Sequence, residues 1–145
     1  MYKKIMVPTD GSNRSELAVQ EGVKLAAVLK AELAVVHVIP ELPSLVTIYP
    51  DQPSSLISGL TEELDRIGEE ILAKAKATYA DSGIEIQIRL LRGSAANEIC
   101  SEAKNGGYDL IVMASRGMGE IKGYLMGSVS NRVVRHAGCS VLIIR

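Results

Sequence analysis

Hydrophobic positions along this chain fall into two alternating rhythms. Short apolar runs recur at Lys4–Val7, Leu33–Ile39, Ile84–Leu90, Leu110–Ala114 and Val141–Ile144. Between them lie longer stretches whose apolar residues recur every three to four positions, the spacing of one helical face. Helix 1 is expected over about Asn13 to Lys30, with Ala18, Gly22, Leu25, Ala26 and Leu29 inward. Asn13 and Glu16 have the spacing of a capping box. Helix 2 is expected from about Thr61 to Ala80, burying Leu60, Leu64, Ile67, Ile71 and Ala75. Asp81-Ser82-Gly83 closes it. Helix 3 covers about Ala95 to Lys104, with Ala96, Ile99, Cys100 and Ala103 inward. Helix 4 buries Val129, Val133, Val134 and Ala137 and stops at Gly138.

Strands alternating with helices predict an α/β fold, a doubly wound five-stranded parallel sheet with helices on both faces. Strand 3 alternates Ile84, Ile86, Ile88 and Leu90 with Glu85, Gln87 and Arg89. One of its faces should therefore meet water, as at a sheet edge. Strand 4 is continuously apolar and belongs in the centre. Strand order 3-2-1-4-5 satisfies both. It places the turn Pro8-Thr9-Asp10-Gly11-Ser12 and the loop beginning at Ala114 at the point where the chain reverses direction across the sheet. Ligands bind at such switch points, beyond the strands' carboxyl ends.

The loop from Ala114 to Ser128 carries Gly117, Gly119, Gly123 and Gly127 and leads into helix 4. Glycine lets backbone N–H groups approach an anion, and a helix start adds unpaired donors. Arg116 and Lys122 add positive charge. The same glycines would also suit a plain strand-to-helix connection. Asp10 is likewise open to two readings, a ligand-facing acid or an ordinary turn residue capping helix 1.

Four prolines, Pro40, Pro43, Pro50 and Pro53, interrupt the pattern before helix 2. This stretch is expected to be a long loop over the strand ends.

Composition narrows the function classes. The 145 residues suit one domain, and a formal charge of −1 gives no strong drive toward nucleic acid or an anionic membrane. Five Tyr without Phe or Trp make a base-stacking platform for single strands a poor expectation. Cys100 and Cys139 have no metal-ligand spacing and are read as buried, reduced core residues of a cytoplasmic protein. The apolar run Ile5-Met6-Val7 is too short for a secretory leader, and no stretch approaches the length of a membrane span. His37 is read as a packed polar residue and His136 as a helix-end cation. No Gly-x-Ser-x-Gly elbow and no P-loop occurs. Strand 3 ends without the aspartate a phosphoacceptor domain would use.

The residues resemble a known family. Ile5-Met6-Val7-Pro8-Thr9-Asp10-Gly11-Ser12 is similar to the opening of universal stress protein domains, and so is His37-Val38-Ile39. The strongest likeness is Gly117, nine residues, Gly127-Ser128, then Val129, Ser130, Arg135-His136-Ala137 and Cys139-Ser140-Val141-Leu142. It spans the chain except the proline-rich stretch. The ATP-binding branch carries Gly, two residues, Gly, nine residues, Gly-Ser/Thr. Here Ala114 stands where that branch has its first glycine.

The resemblance implies a cytoplasmic ATP-binding regulatory module, with Mg2+ bound through the phosphates and slow hydrolysis at most. By the same likeness Asp10 approaches the ribose, Pro8 and Thr9 wall the nucleoside, and the Val38 backbone meets the adenine edge. Gly117, Gly127, Ser128, Val129 and Ser130 hold phosphate. Met113, Ala114 and Arg116 complete the candidate set. If the Ala114 methyl crowds the nucleotide, glycine there should tighten binding.

The alternative is a stress-related interaction scaffold without tight nucleotide binding. The apolar run Val141–Ile144 at an open edge predicts a homodimer through strand 5, and dimers of this kind occur in the family.

Overall fold

The computed structural model describes residues 1–41, 46–47, 49–117 and 126–145. Gly119, Lys122, Gly123 and Pro43 lie outside them. Five strands, β1 (Lys4–Pro8), β2 (Glu32–Ile39), β3 (Ile86–Arg92), β4 (Leu110–Ala114) and β5 (Ser140–Ile144), form one sheet in the order β3-β2-β1-β4-β5. Every pairing is parallel. The helices are α1 (Asn13–Leu29), α2 (Ser54–Thr78), α3 (Ala95–Asn105) and α4 (Ser128–His136). A 3-10 turn, Ala80–Ser82, ends on Gly83 at φ 77°.

Strand alternation sorts the core into two layers. Ile5, Val7, Leu33, Val35 and Val112 face α1 and α2, meeting Ala18, Val23, Ala26 and Leu72. Met6, Ala34, Val36, Ile111 and Met113 face α3 and α4, meeting Ala96, Ile99, Ala103 and Val133. Both faces of the central strands are thus covered, which is why β1 and β4 read as unbroken apolar runs. Each large side chain buried this way contributes roughly 1.5–3 kcal/mol. Gly22 lets α1 lie close on the sheet, since a Cβ there would sit 2.5 Å from Val7 Cγ2.

Five sequence expectations need correction. The N-cap of α1 is Ser12, whose Oγ accepts from the Ser15 amide at 3.2 Å, so the box built on Asn13 does not form. Helix α2 begins at Ser54, directly after Pro53, and not near Thr61. Its buried residues are Ile57, Gly68 and Leu72, while Ile67 is 38% exposed. The centre of that stripe is a glycine, which no count of apolar side chains finds. A Cβ at Gly68 would lie 2.8 Å from Leu90 Cδ1 and 3.0 Å from His37 Cδ2. On the shorter α4, Val133 is buried and Val134 is exposed, and Ala137 forms the C-cap before Gly138 is reached. Cys100 and Cys139 are half-buried and free, packed against the α3/α4 layer. Burial pushes both thiols up from their ordinary pKa, with Asp109 adding to the effect at Cys139.

The two sheet edges differ in kind. At β3, Arg92 pairs with Asp65 of α2 at 2.6 Å and Arg89 with Glu102 of α3 at 2.8 Å. At β5, Val141, Ile143 and Ile144 are half-buried and Leu142 is exposed, so the run is less enclosed than its composition suggests.

Candidate functional site

A cavity of about 190 Å3 opens where β1 and β4, adjacent in the sheet, send the chain to opposite sides. Its apolar wall comes from the layer under α3 and α4: Val36, Val38, Ile99, Met113 and Val129. Its rims are the turn after β1 and the chain entering and leaving the β4–α4 connection. Of the twelve residues singled out in the sequence, Pro8, Thr9, Asp10, Val38, Met113, Ala114, Arg116, Gly117, Gly127, Val129 and Ser130 line this one cavity. Ser128 does not. It is the exposed first residue of α4.

The turn after β1 is tied by short-range bonds. The Thr9 amide donates to Val36 O at 2.8 Å, continuing the β1–β2 ladder one residue past the strand. Thr9 Oγ1 accepts from the Gly11 amide at 3.2 Å. Ser15 Oγ donates to Ser12 O at 2.9 Å, so in the 2.9 Å contact between Thr9 Oγ1 and Ser15 Oγ the proton comes from Thr9. Gly11 sits at φ 80°, a conformation that favours glycine. Asp10 Oδ1 accepts from the Ser12 amide at 3.0 Å.

On the facing rim, among the described residues, bonds converge on the Ser115 carbonyl. Ser115 O accepts from the Gly127 amide at 2.7 Å and from Ser130 Oγ at 2.6 Å. The Ser115 amide in turn donates to Ile144 O of β5. Ser130 is buried, and its hydroxyl also approaches Gly127 O at 3.2 Å. Two residues expected to offer donors to a phosphate therefore have those donors engaged within the chain. Gly127 ties the loop shut, and the Ser130 hydroxyl staples helix to strand. Gly127 as N-cap offers no side-chain acceptor to the first-turn amides of α4.

Gly117 brings the rims together. A Cβ at this position would overlap Asp10 Oδ2. Only a residue without a side chain lets the carboxylate stand there, facing the cavity mouth. Ala114 lines the cavity and also packs into the sheet layer. Its side chain alternates with that of Met113 and belongs to the layer under α1, where it is 7% exposed.

Five lining residues were absent from the sequence reading of the site: Ser15, Val36, His37, Ala95 and Ile99. Val36, Ala95 and Ile99 carry no chemical signature and are brought in by packing alone. His37 was assigned to packing, yet its Nδ1 lies 2.8 Å from Thr9 O. His136 is exposed in the last turn of α4, where a cation is favourable. Among the described residues, no group of three or more His, Cys, Asp or Glu could hold a metal ion, and no helix is long and apolar enough to cross a membrane.

A parallel sheet in this order, with a cleft at its switch point, defines a doubly wound α/β domain with its cleft where such folds bind ligands. The universal stress protein family model matches residues 1–145, and the chain belongs to that family. A universal stress protein of Bacillus subtilis is 36% identical over 148 residues, covering 100% of both chains. Universal stress protein UspA from Lactobacillus plantarum superposes with a TM-score of 0.86 at 25% identity, over 99% of this chain and 98% of that one. A universal stress protein solved in complex with cAMP matches with a TM-score of 0.70 at 27% identity, over 99% of this chain and 96% of that one.

Proposed function

We propose that this chain is a single-domain, cytoplasmic ATP-binding universal stress protein, a small regulatory module whose hydrolysis is slow at most. The observation that carries the reading is the shared cavity. Residues far apart in sequence, from Pro8 to Ser130, meet around one cleft with an apolar wall, an acid at its mouth and a helix start at its rim. Each part suits one part of an adenine nucleotide. The Val36, Val38, Ile99 and Met113 wall suits a flat base. Asp10 suits ribose hydroxyls, and the α4 amides suit phosphate oxygens. A cleft of about 190 Å3 is below the roughly 300–1,000 Å3 of typical ligand pockets, so it takes the nucleoside end and leaves the phosphates at the rim. Mg2+ enters with those phosphates. The relative solved with cAMP supports an adenine nucleotide as the ligand class.

Calorimetric titration with ATP, ADP and AMP, with and without Mg2+, tests this reading. Saturable binding that strengthens with phosphate number is expected. No binding at millimolar ATP with Mg2+ would leave the interaction scaffold as the better account.

The β5 edge supports a homodimer. Its outer N–H and C=O groups lie on an open edge with Leu142 exposed, and among the described residues β5 has none of the ion pairs that guard β3. Sedimentation should show a concentration-dependent dimer at micromolar protein, and a single monomer species would refute it.

A further inference from the structure

His37 stands on β2 opposite Leu90 of β3, with its ring on the α1/α2 side of the sheet. One flank lies on the bare Gly68 of α2. The other reaches the turn after β1, where Nδ1 is 2.8 Å from Thr9 O. A carbonyl oxygen only accepts, so Nδ1 carries the proton and donates. That carbonyl belongs to the peptide joining Thr9 to Asp10. The preceding peptide, joining Pro8 to Thr9, is held by the Val36 ladder bond. Beyond it, the Asp10 carboxylate is steadied by the Ser12 amide and lies against Gly117. The imidazole thus fixes the plane of the peptide from which the Asp10 side chain departs.

We propose that His37 is a positioning residue that aims Asp10, and so sets how strongly the site prefers ligands with free ribose hydroxyls. This rests on the nucleotide reading given above. A carboxylate discriminates for a hydroxyl only when it is held at hydrogen-bond distance, and a turn peptide free to rotate would swing it away. The competing account is that the ring merely fills space beneath Gly68. Leucine fills similar space but cannot donate. Asparagine fills less, yet carries an N–H donor near the place of Nδ1.

The test compares ATP with 2′,3′-dideoxy-ATP on the full chain. The proteins are wild type, Asp10→Ala, His37→Leu, His37→Asn and the double variant His37→Leu/Asp10→Ala. Wild type should prefer ATP, and Asp10→Ala should abolish the preference. His37→Leu should reduce it about fivefold, the scale of one net hydrogen bond. His37→Asn should restore most of it, and the double variant should be no worse than Asp10→Ala alone. Full preference in His37→Leu, or losses that add in the double variant, would overturn the proposal.

Amide exchange of Gly11 and Ser12 without ligand gives a readout independent of nucleotide. Faster exchange in His37→Leu, reversed in His37→Asn, supports the positioning role even if ATP fails to bind wild type. Unchanged exchange in His37→Leu refutes it.

Discussion

On one side of the cavity, the turn after β1 is knitted from its own side chains: Thr9, Asp10, Ser12 and Ser15 satisfy one another and the local amides within seven residues. On the other side, among the described residues, the two ends of the connection after β4 are fastened at Ser115 O by groups that come from residues 127 and 130. The first rim closes by local chemistry and the second by contacts across a long stretch of chain. Local bonds cost little chain entropy to form, whereas a long connection must first be closed. The β1 rim should therefore be the fixed wall against which a ligand is placed. The β4 rim should depend more on what stabilises it.

The strongest way to break this contrast is at the point where the rims touch. Gly117→Val puts a branched side chain where Asp10 Oδ2 stands. We expect ATP affinity to fall about a hundredfold, or ~2.7 kcal/mol. Gly117 lies outside the positive-φ positions, so its backbone accepts valine and the melting temperature should change little. Calorimetry with a parallel melt checks both statements.

Thr9→Val attacks the fixed rim alone. It keeps the shape but leaves the Gly11 amide without its acceptor and removes one of the two hydroxyls that donate to Ser15 Oγ, the other being Ser12. Loss of about 2 kcal/mol in a denaturant titration is expected for an orphaned amide together with a lost contact to buried Ser15. Ser130→Ala attacks the other rim. Ser115 O still accepts from Gly127, so no acceptor is orphaned and the loss should be nearer 1 kcal/mol. Equal costs for the two variants would contradict the contrast drawn between the rims.

Ala114→Gly separates crowding from packing. The methyl lies in the layer under α1, so glycine there should cost about 0.5–1 kcal/mol of stability and leave ATP affinity unchanged. Tighter binding would mean that the methyl does reach the ligand.

The smallest effect is expected at the opposite end of the sheet, far from both rims. Burial raises the Asp109 carboxyl, but hydrogen bonds from the Lys3 and Lys4 amides outweigh it and hold its pKa below the ordinary value. The stability this contributes is present above the unfolded carboxylate value of about 3.9 and is lost as pH falls through the folded value. Asp109→Asn should therefore be less stable than wild type near neutral pH, with the gap closing on acidification. Thermal melts at pH 7 and below pH 4 read this directly. Nucleotide affinity at pH 7 should match wild type.

The sequence by itself determined the element order, the central place of β4, the edge place of β3 and nearly the whole rim of the cavity. These follow from local period and from residues whose chemistry is visible in one letter: glycines, an acid after a strand, hydroxyls at a helix start. Tertiary structure decided the rest. It set the face of α2, because the stripe turns on Gly68, a residue defined by the Leu90 and His37 side chains that occupy its missing Cβ. It directed the Ala114 methyl away from the α3/α4 wall and engaged the Gly127 amide and Ser130 hydroxyl in the fold. It brought His37 against the Thr9 carbonyl, 28 residues away in the chain. Period and residue type are local properties, so the sequence carries them openly. Which donor is already taken, and which way a side chain points at a crowded strand end, depends on atoms that only folding brings together.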